Sequence, residues 1–165
     1  MLGVRFGLSI IFLSLFLIGS CSIIELGDEN ARNRGLDKEI LLRLVNEVRA
    51  AGCNCGGDQM PAVASLAWNS LLEKAALDHS LDMDQNNFFS HTGSNGSTAG
   101  ERLTKAGFVW RSFGENIAKG YTNEQAVVEG WINSPGHCKN IMNGKFTLMG
   151  VAKSGAYWTQ VFASN

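Results

Sequence analysis

The sequence has no excess of basic residues and no cluster of them. Its 165 residues contain 14 Lys and Arg against 15 Asp and Glu, which gives a formal net charge of −1. Phosphate binding requires grouped Lys and Arg side chains, so this pattern argues against nucleic acid as a partner. Internal repeats are also missing, and the chain length suits one domain with a sizeable core.

A long membrane-spanning segment is missing from the N-terminus as well. The apolar run after Arg5 covers residues 6–18, which is short for a spanning helix, and no basic stop-transfer flank follows it. Such a run is typical of a secretory signal peptide, which we place at residues 1–20. We interpret residues 21–36 as a flexible tether and residues 37–165 as the folded domain.

The signal region ends in Gly19-Ser20-Cys21, and small residues before a cysteine resemble the bacterial lipobox. This resemblance implies cleavage before Cys21 and attachment of lipid to its thiol and amine. The protein is then exported and lipid-anchored in the cell envelope, at an outer membrane or at the cell surface, with the membrane as a partner. The alternative is a plain signal peptide, an incidental cysteine and a secreted product.

Cysteine is scarce: the chain has four, and three remain if Cys21 carries lipid. An exported protein is expected to form disulfides, but three thiols leave one over. Cys53 and Cys55 are too close in sequence to be good partners, so we expect Cys138 to bond to one of them. A zinc site that uses all three thiols is the weaker alternative, because an oxidising compartment favours the disulfide.

Apolar periodicity predicts helices early in the chain and strands late. Helical spacing occurs in residues 37–52, 70–85 and 98–105. A capping-box pattern at residues 122–125 marks the start of a fourth helical segment. Two β-like runs, 146–152 and 157–162, flank the turn residues 153–155 and predict an antiparallel hairpin. This order predicts an α+β fold with helices packed on an antiparallel sheet.

The densest group of chemistry-bearing residues is the stretch Trp131–Met142. Ser134 is a candidate helix cap, and Pro135 then fits the first helical turn, where a missing N–H costs nothing. His137 falls in that first turn, where water can reach its ring, and Cys138 can tie the turn to another segment. We interpret the stretch as one wall of a functional site.

No His-Glu-x-x-His motif occurs in the sequence, so a metal site has to be assembled from distant residues. His91 precedes a Gly/Ser-rich loop, Glu115 precedes an apolar pair, and His137 begins a helix. Two imidazoles and a carboxylate are the ligands of many catalytic zinc sites, and they also form hydrogen-bonded clusters without metal. These three are therefore the candidate catalytic and metal-binding residues, with zinc or another divalent cation as the candidate cofactor.

Other polar residues favour structural roles. His79 lies on the apolar face of its predicted helix, which favours a hydrogen-bonded core residue over a ligand. Arg102 is able to orient Glu115. Asn116 is expected to fix a local turn rather than bind a ligand.

Seven short motifs occur in order along most of the chain. They are residues 66–69 (LAWN), 75–83 (AALDHSLDM), 87–91 (NFFSH), 96–102, 114–118 (GENIA), 131–142 and 157–162 (YWTQVF). From about Leu41 to Ala163 the chain resembles a bacterial member of the CAP superfamily, also called the SCP domain. The resemblance implies an α-β-α sandwich, with an antiparallel sheet between two helical layers.

Eukaryotic members of that family gather two histidines and two glutamates in a central cleft, which holds zinc or another divalent ion in some of them. By resemblance, His91 is the first histidine and Glu115 the glutamate of the Gly-Glu-Asn motif. Ser134 stands where the second glutamate falls, and Tyr157 stands where the second histidine falls. The bacterial branch carries a Ser-Pro-Gly-His motif instead, so the resemblance implies a ligand cleft of these four residues and His137.

The same bacterial branch often has an early Cys-Gly pair and a cysteine directly after Ser-Pro-Gly-His. Cys55-Gly56 and Cys138 match these positions. The resemblance therefore implies a Cys55–Cys138 disulfide and a free Cys53.

Three functional classes compete. The resemblance favours a non-enzymatic binding domain that holds a lipid, a small apolar ligand or a protein partner, followed by a structural role in the envelope. The third is a metal-dependent hydrolase, such as a peptidase, that uses His91, Glu115 and His137. A serine mechanism through Ser90 or Ser134 is less credible, because Ser90 directly precedes His91 and no buried aspartate is evident.

Overall fold

The computed structural model describes residues 35–165. The predicted signal peptide, the predicted lipidation site at Cys21 and the predicted tether up to residue 34 lie outside the described residues. Within the described part of the chain, no helix is both long enough and apolar enough to cross a membrane.

Five helices occur in residues 35–165. They are α1 (Lys38–Ala51), α2 (Ser70–Gln85), α3 (Ala99–Lys105), α4 (Glu124–Ile132) and α5 (Pro135–Ile141). Polar caps fix where most of them begin, because a side-chain oxygen takes up a backbone N–H of the first turn. Asp37, Asn69 and Thr98 cap α1, α2 and α3 in this way.

Two helix starts differ in detail from the sequence-based expectation. Asn123 caps α4, since its Oδ1 accepts from the backbone N of Ala126 at 2.9 Å, so the capping residue is one position later than Thr122. Ser134 occupies the cap position of α5 with Pro135 next to it, but its side chain makes no capping hydrogen bond. The hydroxyl of Ser134 is therefore not committed to the helix start.

Six strands form two sheets in the described residues. They are β1 (Cys53–Cys55), β2 (Asp58–Met60), β3 (Ala67–Trp68), β4 (Ser112–Lys119), β5 (Leu148–Ser154) and β6 (Tyr157–Ser164). β1 and β2 form a small antiparallel hairpin, and the main sheet has the order β3-β5-β6-β4. The β3–β5 pair is parallel and the other pairs of this sheet are antiparallel. In this strand order β3 and β4 are the two edge strands.

The predicted β5–β6 hairpin is present, with a shorter turn than expected. Lys153 and Ser154 belong to β5, Ser154 pairs with Tyr157, and the turn is reduced to Gly155 and Ala156. Gly155 has φ +52°, and a left-handed residue in a two-residue turn matches the right-handed twist of the strands. β4 was not predicted as a strand, because Gly114-Glu115-Asn116 interrupts any apolar alternation.

The main sheet is covered by helices on both faces, as the sandwich prediction requires. On one face α1, α4 and α5 share a core with the sheet that includes Leu41, Val127, Trp131, Trp158 and Phe162. On the other face α2 and α3 pack against the sheet through residues that include Leu72, Ala76, Leu103, Ala152 and Val161. Side chains alternate between faces along each strand, so neighbouring residues of β4 enter different layers.

The disulfide is the one that the family resemblance implied. Cys55 of β1 is bonded to Cys138 of α5, and Cys53 is a free, half-buried cysteine. A Cβ at Gly56 would overlap the ring of Pro135, so the β1–β2 turn lies directly against the start of α5. The Asp58–Lys139 ion pair holds the same two elements together.

Candidate functional site

Glu115 is the centre of the candidate site. It lies on β4 opposite Val161 of β6, and its side chain enters the layer of α2 and α3 with only 5% of its surface exposed. Its Oε2 accepts a hydrogen bond from Arg102 at 2.7 Å, and its Oε1 accepts from Nδ1 of His91 at 2.8 Å. Both oxygens of this buried carboxylate are therefore engaged by side chains of the protein.

Arg102 reaches this carboxylate from α3. Its guanidinium also donates to the backbone oxygen of Ser97 at 2.8 Å and to that of His91 at 3.0 Å. The side chain is 7% exposed, and a planar guanidinium can satisfy several acceptors in fixed directions. Arg102 therefore fixes both Glu115 and the backbone that carries His91.

His91 is the exposed member of the cluster, with 57% of its side-chain surface accessible. Because Nδ1–H donates to the Glu115 carboxylate, the opposite ring nitrogen, Nε2, is left for a ligand. Among the described residues, no hydroxyl or thiol makes a hydrogen bond to the His91 ring. This arrangement orients an imidazole without providing it with a side-chain nucleophile.

His79 lies behind the cluster and is fully buried on α2. Its Nε2–H donates to the backbone oxygen of Ser90 at 2.9 Å, and Nε2 is 4.0 Å from Oε1 of Glu115. Burial lowers the pKa of His79 more than the nearby carboxylate raises it, so the ring is held neutral. His79 therefore positions the His91 loop from the core, as its place on an apolar helix face suggested.

The charge of Glu115 is stabilised within the protein. Burial alone would raise its pKa, but the hydrogen bond from His91 and the positive charge of Arg102 outweigh burial and hold the pKa of Glu115 below its ordinary value. The side chain is an anion at neutral pH. It serves as a fixed negative partner for two neighbouring side chains.

His137 approaches the site from the other helical layer. The α5 segment docks on the β4 edge, where Asn140 donates to the backbone oxygen of Glu115 at 3.1 Å and Asn116 donates to that of His137 at 3.2 Å. Burial lowers the pKa of His137, and the charge of His91 lowers it further. The two imidazoles are therefore close enough to influence each other electrostatically.

The expectation that Asn116 fixes a local turn is wrong. The residue lies in the middle of β4, fully buried, with its side chain in the opposite layer from Glu115. Besides the His137 oxygen, its Nδ2 donates to Oε1 of Gln160, and its Oδ1 accepts from Asn140. Asn116 thus attaches α5, and with it His137, to the sheet.

Two further residues of the predicted cleft lie apart from the carboxylate. Tyr157 pairs with Lys119, four residues along β4 from Glu115, which is roughly 13 Å at the usual strand rise. Its buried hydroxyl accepts from Nζ of Lys119 at 2.7 Å and contacts Oδ1 of Asn87 at 3.3 Å. Ser134 is half-buried at the start of α5 and adjoins the His137 turn.

The ligand atoms of His91, Glu115 and His137 are not gathered as tightly as those of a closed metal site. Among residues 35–165, three ligand atoms come within 4.8 Å of one another at Cys53, Cys55 and Cys138. A divalent ion that used the Glu115 carboxylate would compete with Arg102 and His91, which already donate to its two oxygens. Zinc binding at His91, Glu115 and His137 stays a prediction, in which the two imidazoles are better placed as ligands than the carboxylate.

The stability of the domain should fall as the pH is lowered below about 6.5, because His79 accepts a proton more readily when unfolded. The pKa of His79 is lower in the folded state than in the unfolded state. Its contribution to stability is therefore complete at pH values above the unfolded pKa and is lost as the pH falls through the folded pKa. One such group gives a slope of at most about 1.4 kcal/mol per pH unit. Urea unfolding of wild type and His79→Gln at several pH values measures this slope.

The His79→Gln variant should show a flatter stability profile between about pH 6.5 and 5 than the wild type. His137→Gln is the comparison variant, since burial also lowers the pKa of that half-buried ring and its loss should flatten the profile in the same direction. Equal slopes in wild type and His79→Gln would contradict a neutral buried His79. Glu115 adds a decline at lower pH, below about 4.5.

Comparisons with known proteins give the family context. The sequence model of the cysteine-rich secretory protein family, CAP, matches residues 42–162. YlbC of Bacillus subtilis, described as an uncharacterized membrane protein, is 39% identical over 100 residues, which are 61% of this chain and 29% of the relative.

Two solved structures share the fold. An extracellular protein with an SCP domain from Bacillus anthracis is 33% identical, with a TM-score of 0.69 over 77% of this chain and 40% of that chain. An outer surface protein from Borrelia burgdorferi is 23% identical, with a TM-score of 0.65 over 77% of this chain and 91% of that chain. The chain spans less than half the length of YlbC and of the Bacillus anthracis protein.

Proposed function

The chain belongs to the cysteine-rich secretory protein (CAP) family, and on that basis we propose that it is a non-enzymatic binding domain of the cell envelope or extracellular space. The observation that carries the proposal is the engagement of both Glu115 oxygens by Arg102 and His91. A carboxylate held in this way positions a neighbouring ring and is not available as a general base. His91 and His137 are then the groups that contact the ligand.

The proposed ligand is a divalent cation, either alone or presented by a partner. An imidazole that donates one ring N–H to a carboxylate has its other nitrogen oriented toward a metal, and such a carboxylate tunes the ligand without touching the ion. Glu115 and His91 have this arrangement. Two imidazoles leave further coordination positions for water or for a group of the partner.

The surroundings of the site fit an exported protein. The Cys55–Cys138 disulfide is typical of an oxidising compartment, and the relatives include extracellular and surface proteins. Lipid attachment at Cys21, with the envelope membrane as partner, is part of the same proposal. A lipid, a small apolar ligand or a protein remains the second class of ligand for a domain of this kind.

Zinc titration of the full-length chain by calorimetry, without reductant so that the disulfide is kept, tests the proposal. We expect saturable binding that is lost in His91→Ala and in His137→Ala, because each removes one imidazole. Glu115→Gln should weaken binding about 10–100-fold without abolishing it, as expected for a positioning carboxylate. Lys105→Ala is the control, since Lys105 is an exposed residue in the last turn of α3 and its loss should leave zinc binding in place.

The alternative is a metal-dependent hydrolase at the same cleft, favoured by the oriented and exposed His91 ring. Bound zinc would supply an activated water there. Peptide hydrolysis that requires zinc and disappears in His91→Ala would replace the binding proposal with this one. If zinc titration of the wild type gave no binding heat, or if the binding heat were unchanged in His91→Ala and His137→Ala, a cation-binding cleft would be contradicted.

A further inference from the structure

Three sulfur atoms meet where the β1–β2 hairpin touches the start of α5. Cys53 and Cys55 are two residues apart on β1, so their side chains leave the strand on the same face. Cys55 is bonded to Cys138, and the Sγ of the free Cys53 lies 3.5 Å from the Sγ of Cys138. All three Sγ atoms are within 4.8 Å of one another.

We propose that this cluster is a thiol–disulfide exchange site in which Cys53 and Cys55 alternate as the partner of Cys138. The thiolate of Cys53 attacks the Sγ of Cys138, and a new Cys53–Cys138 bond forms as the Cys55–Cys138 bond breaks. Cys55 leaves as a thiolate and takes up the proton that Cys53 lost. The reaction is an isomerisation, so it consumes no oxidant or reductant.

The burial of the two competing cysteines suits this exchange. Cys53 is half-buried, so water can reach its thiol and remove the proton that has to leave before attack. Cys55 is 1% exposed, and a protonated thiol is tolerated in an apolar core. Both disulfide isomers therefore avoid leaving a charge in the interior once the proton has been transferred.

The exchange would act on the element that carries His137. The hairpin is held to α5 by the disulfide, by the Asp58–Lys139 ion pair and by the contact of Gly56 with Pro135. The Sγ of Cys53 is already 3.5 Å from that of Cys138, so moving the covalent link from Cys55 to Cys53 needs only a small shift of the hairpin against α5. The two disulfide isomers therefore give two arrangements of the hairpin against the first turn of α5, whether or not the cleft binds a cation.

Locating the free thiol tests the exchange. The full-length chain is held at about pH 8.5 with a chelator and no reductant, quenched with acid, unfolded and treated with N-ethylmaleimide. Trypsin releases residues 50–74, which contain both Cys53 and Cys55, and fragment ions then show which cysteine carries the label. Cys21 falls on another tryptic peptide. We expect the label on both cysteines, and label on Cys53 alone after prolonged incubation would overturn the proposal.

Two variants give an independent readout. In Cys55→Ser, we expect Cys53 to take over as the partner, so that non-reducing peptide maps contain a Cys53–Cys138 link. In Cys53→Ser, the Cys55–Cys138 link should be retained and residues 50–74 should carry no label. Free Cys53 and Cys138 in Cys55→Ser after exposure to oxidised glutathione would contradict the exchange.

Discussion

Replacing Arg49 with methionine should lower the free energy of unfolding by about 3–5 kcal/mol. Arg49 is fully buried on α1, and its guanidinium donates only to backbone carbonyls. The four acceptors are the oxygens of Ala64 (2.8 Å), Ile141 (2.6 Å), Asn143 (3.1 Å) and Phe146 (3.3 Å). Methionine keeps much of the length of the side chain but leaves these carbonyls without their donor in the interior.

The four bonds also explain why the effect should extend beyond α1. They connect α1 to the loop before β3 and to the segment that joins α5 to β5, so one side chain ties three parts of the fold together. Ile141 is the last residue of α5, and a cation is favoured near the carbonyl end of a helix. Loss of Arg49 should therefore loosen α5 as well as the loop.

Urea unfolding followed by tryptophan fluorescence measures this change. The matched control is Arg43→Met on the same helix, since Arg43 is exposed and pairs only with Glu47 at 2.7 Å. An exposed pair of this kind contributes less than about 1 kcal/mol. If Arg49→Met and Arg43→Met had equal stabilities, the carbonyl contacts of Arg49 would have no net stabilising role.

Replacing Arg102 with methionine should cost a similar amount, about 3–5 kcal/mol, because it leaves the buried Glu115 carboxylate without its cation. Burial then dominates and raises the pKa of Glu115 in the folded variant. A carboxyl group whose pKa is raised on folding stabilises the folded state at pH values below that pKa. The loss of stability of Arg102→Met relative to the wild type should therefore be largest at neutral pH. It should shrink as the pH falls and Glu115 takes up a proton.

A double-mutant cycle separates this charge effect from lost packing. Glu115→Gln should destabilise the protein by itself, but Arg102→Met combined with Glu115→Gln should cost less than the sum, by about 1–3 kcal/mol. Lys105→Met is the control, since Lys105 is an exposed residue in the last turn of the same helix. Simple additivity, together with a deficit that does not change with pH, would contradict a buried Arg102–Glu115 ion pair.

Local sequence was sufficient to define most of the helices. The segment 70–85 coincides with α2, because Asn69 supplies a cap and apolar residues recur at helical spacing behind it. The third helix is fixed in the same way by Thr98 and Glu101, which form a complete capping box. These signals act over three or four residues, so they are readable before any tertiary contact exists.

β4 was not predicted as a strand because it is stabilised by contacts with other elements and not by the strand propensity of its own residues. Glu115 and Asn116 are poor strand formers by composition, and they are held in the sheet by pairing with β6 and by partners in two different helical layers. A pattern of apolar residues cannot report partners that are distant in sequence. The family motif marked Glu115 as a site residue, but it carried no information about the strand.

The sequence by itself determined the helical segments, the final hairpin, the family and the identity of His91, Glu115 and His137 as candidates. Only the tertiary structure decided that Arg102 neutralises Glu115, that His79 is kept uncharged behind it, and that Cys53 lies against the disulfide. The physical reason is that charge compensation, burial and sulfur–sulfur proximity depend on distances between elements. Those distances are set by the packing of two helical layers on one sheet, which no local spacing of residues encodes.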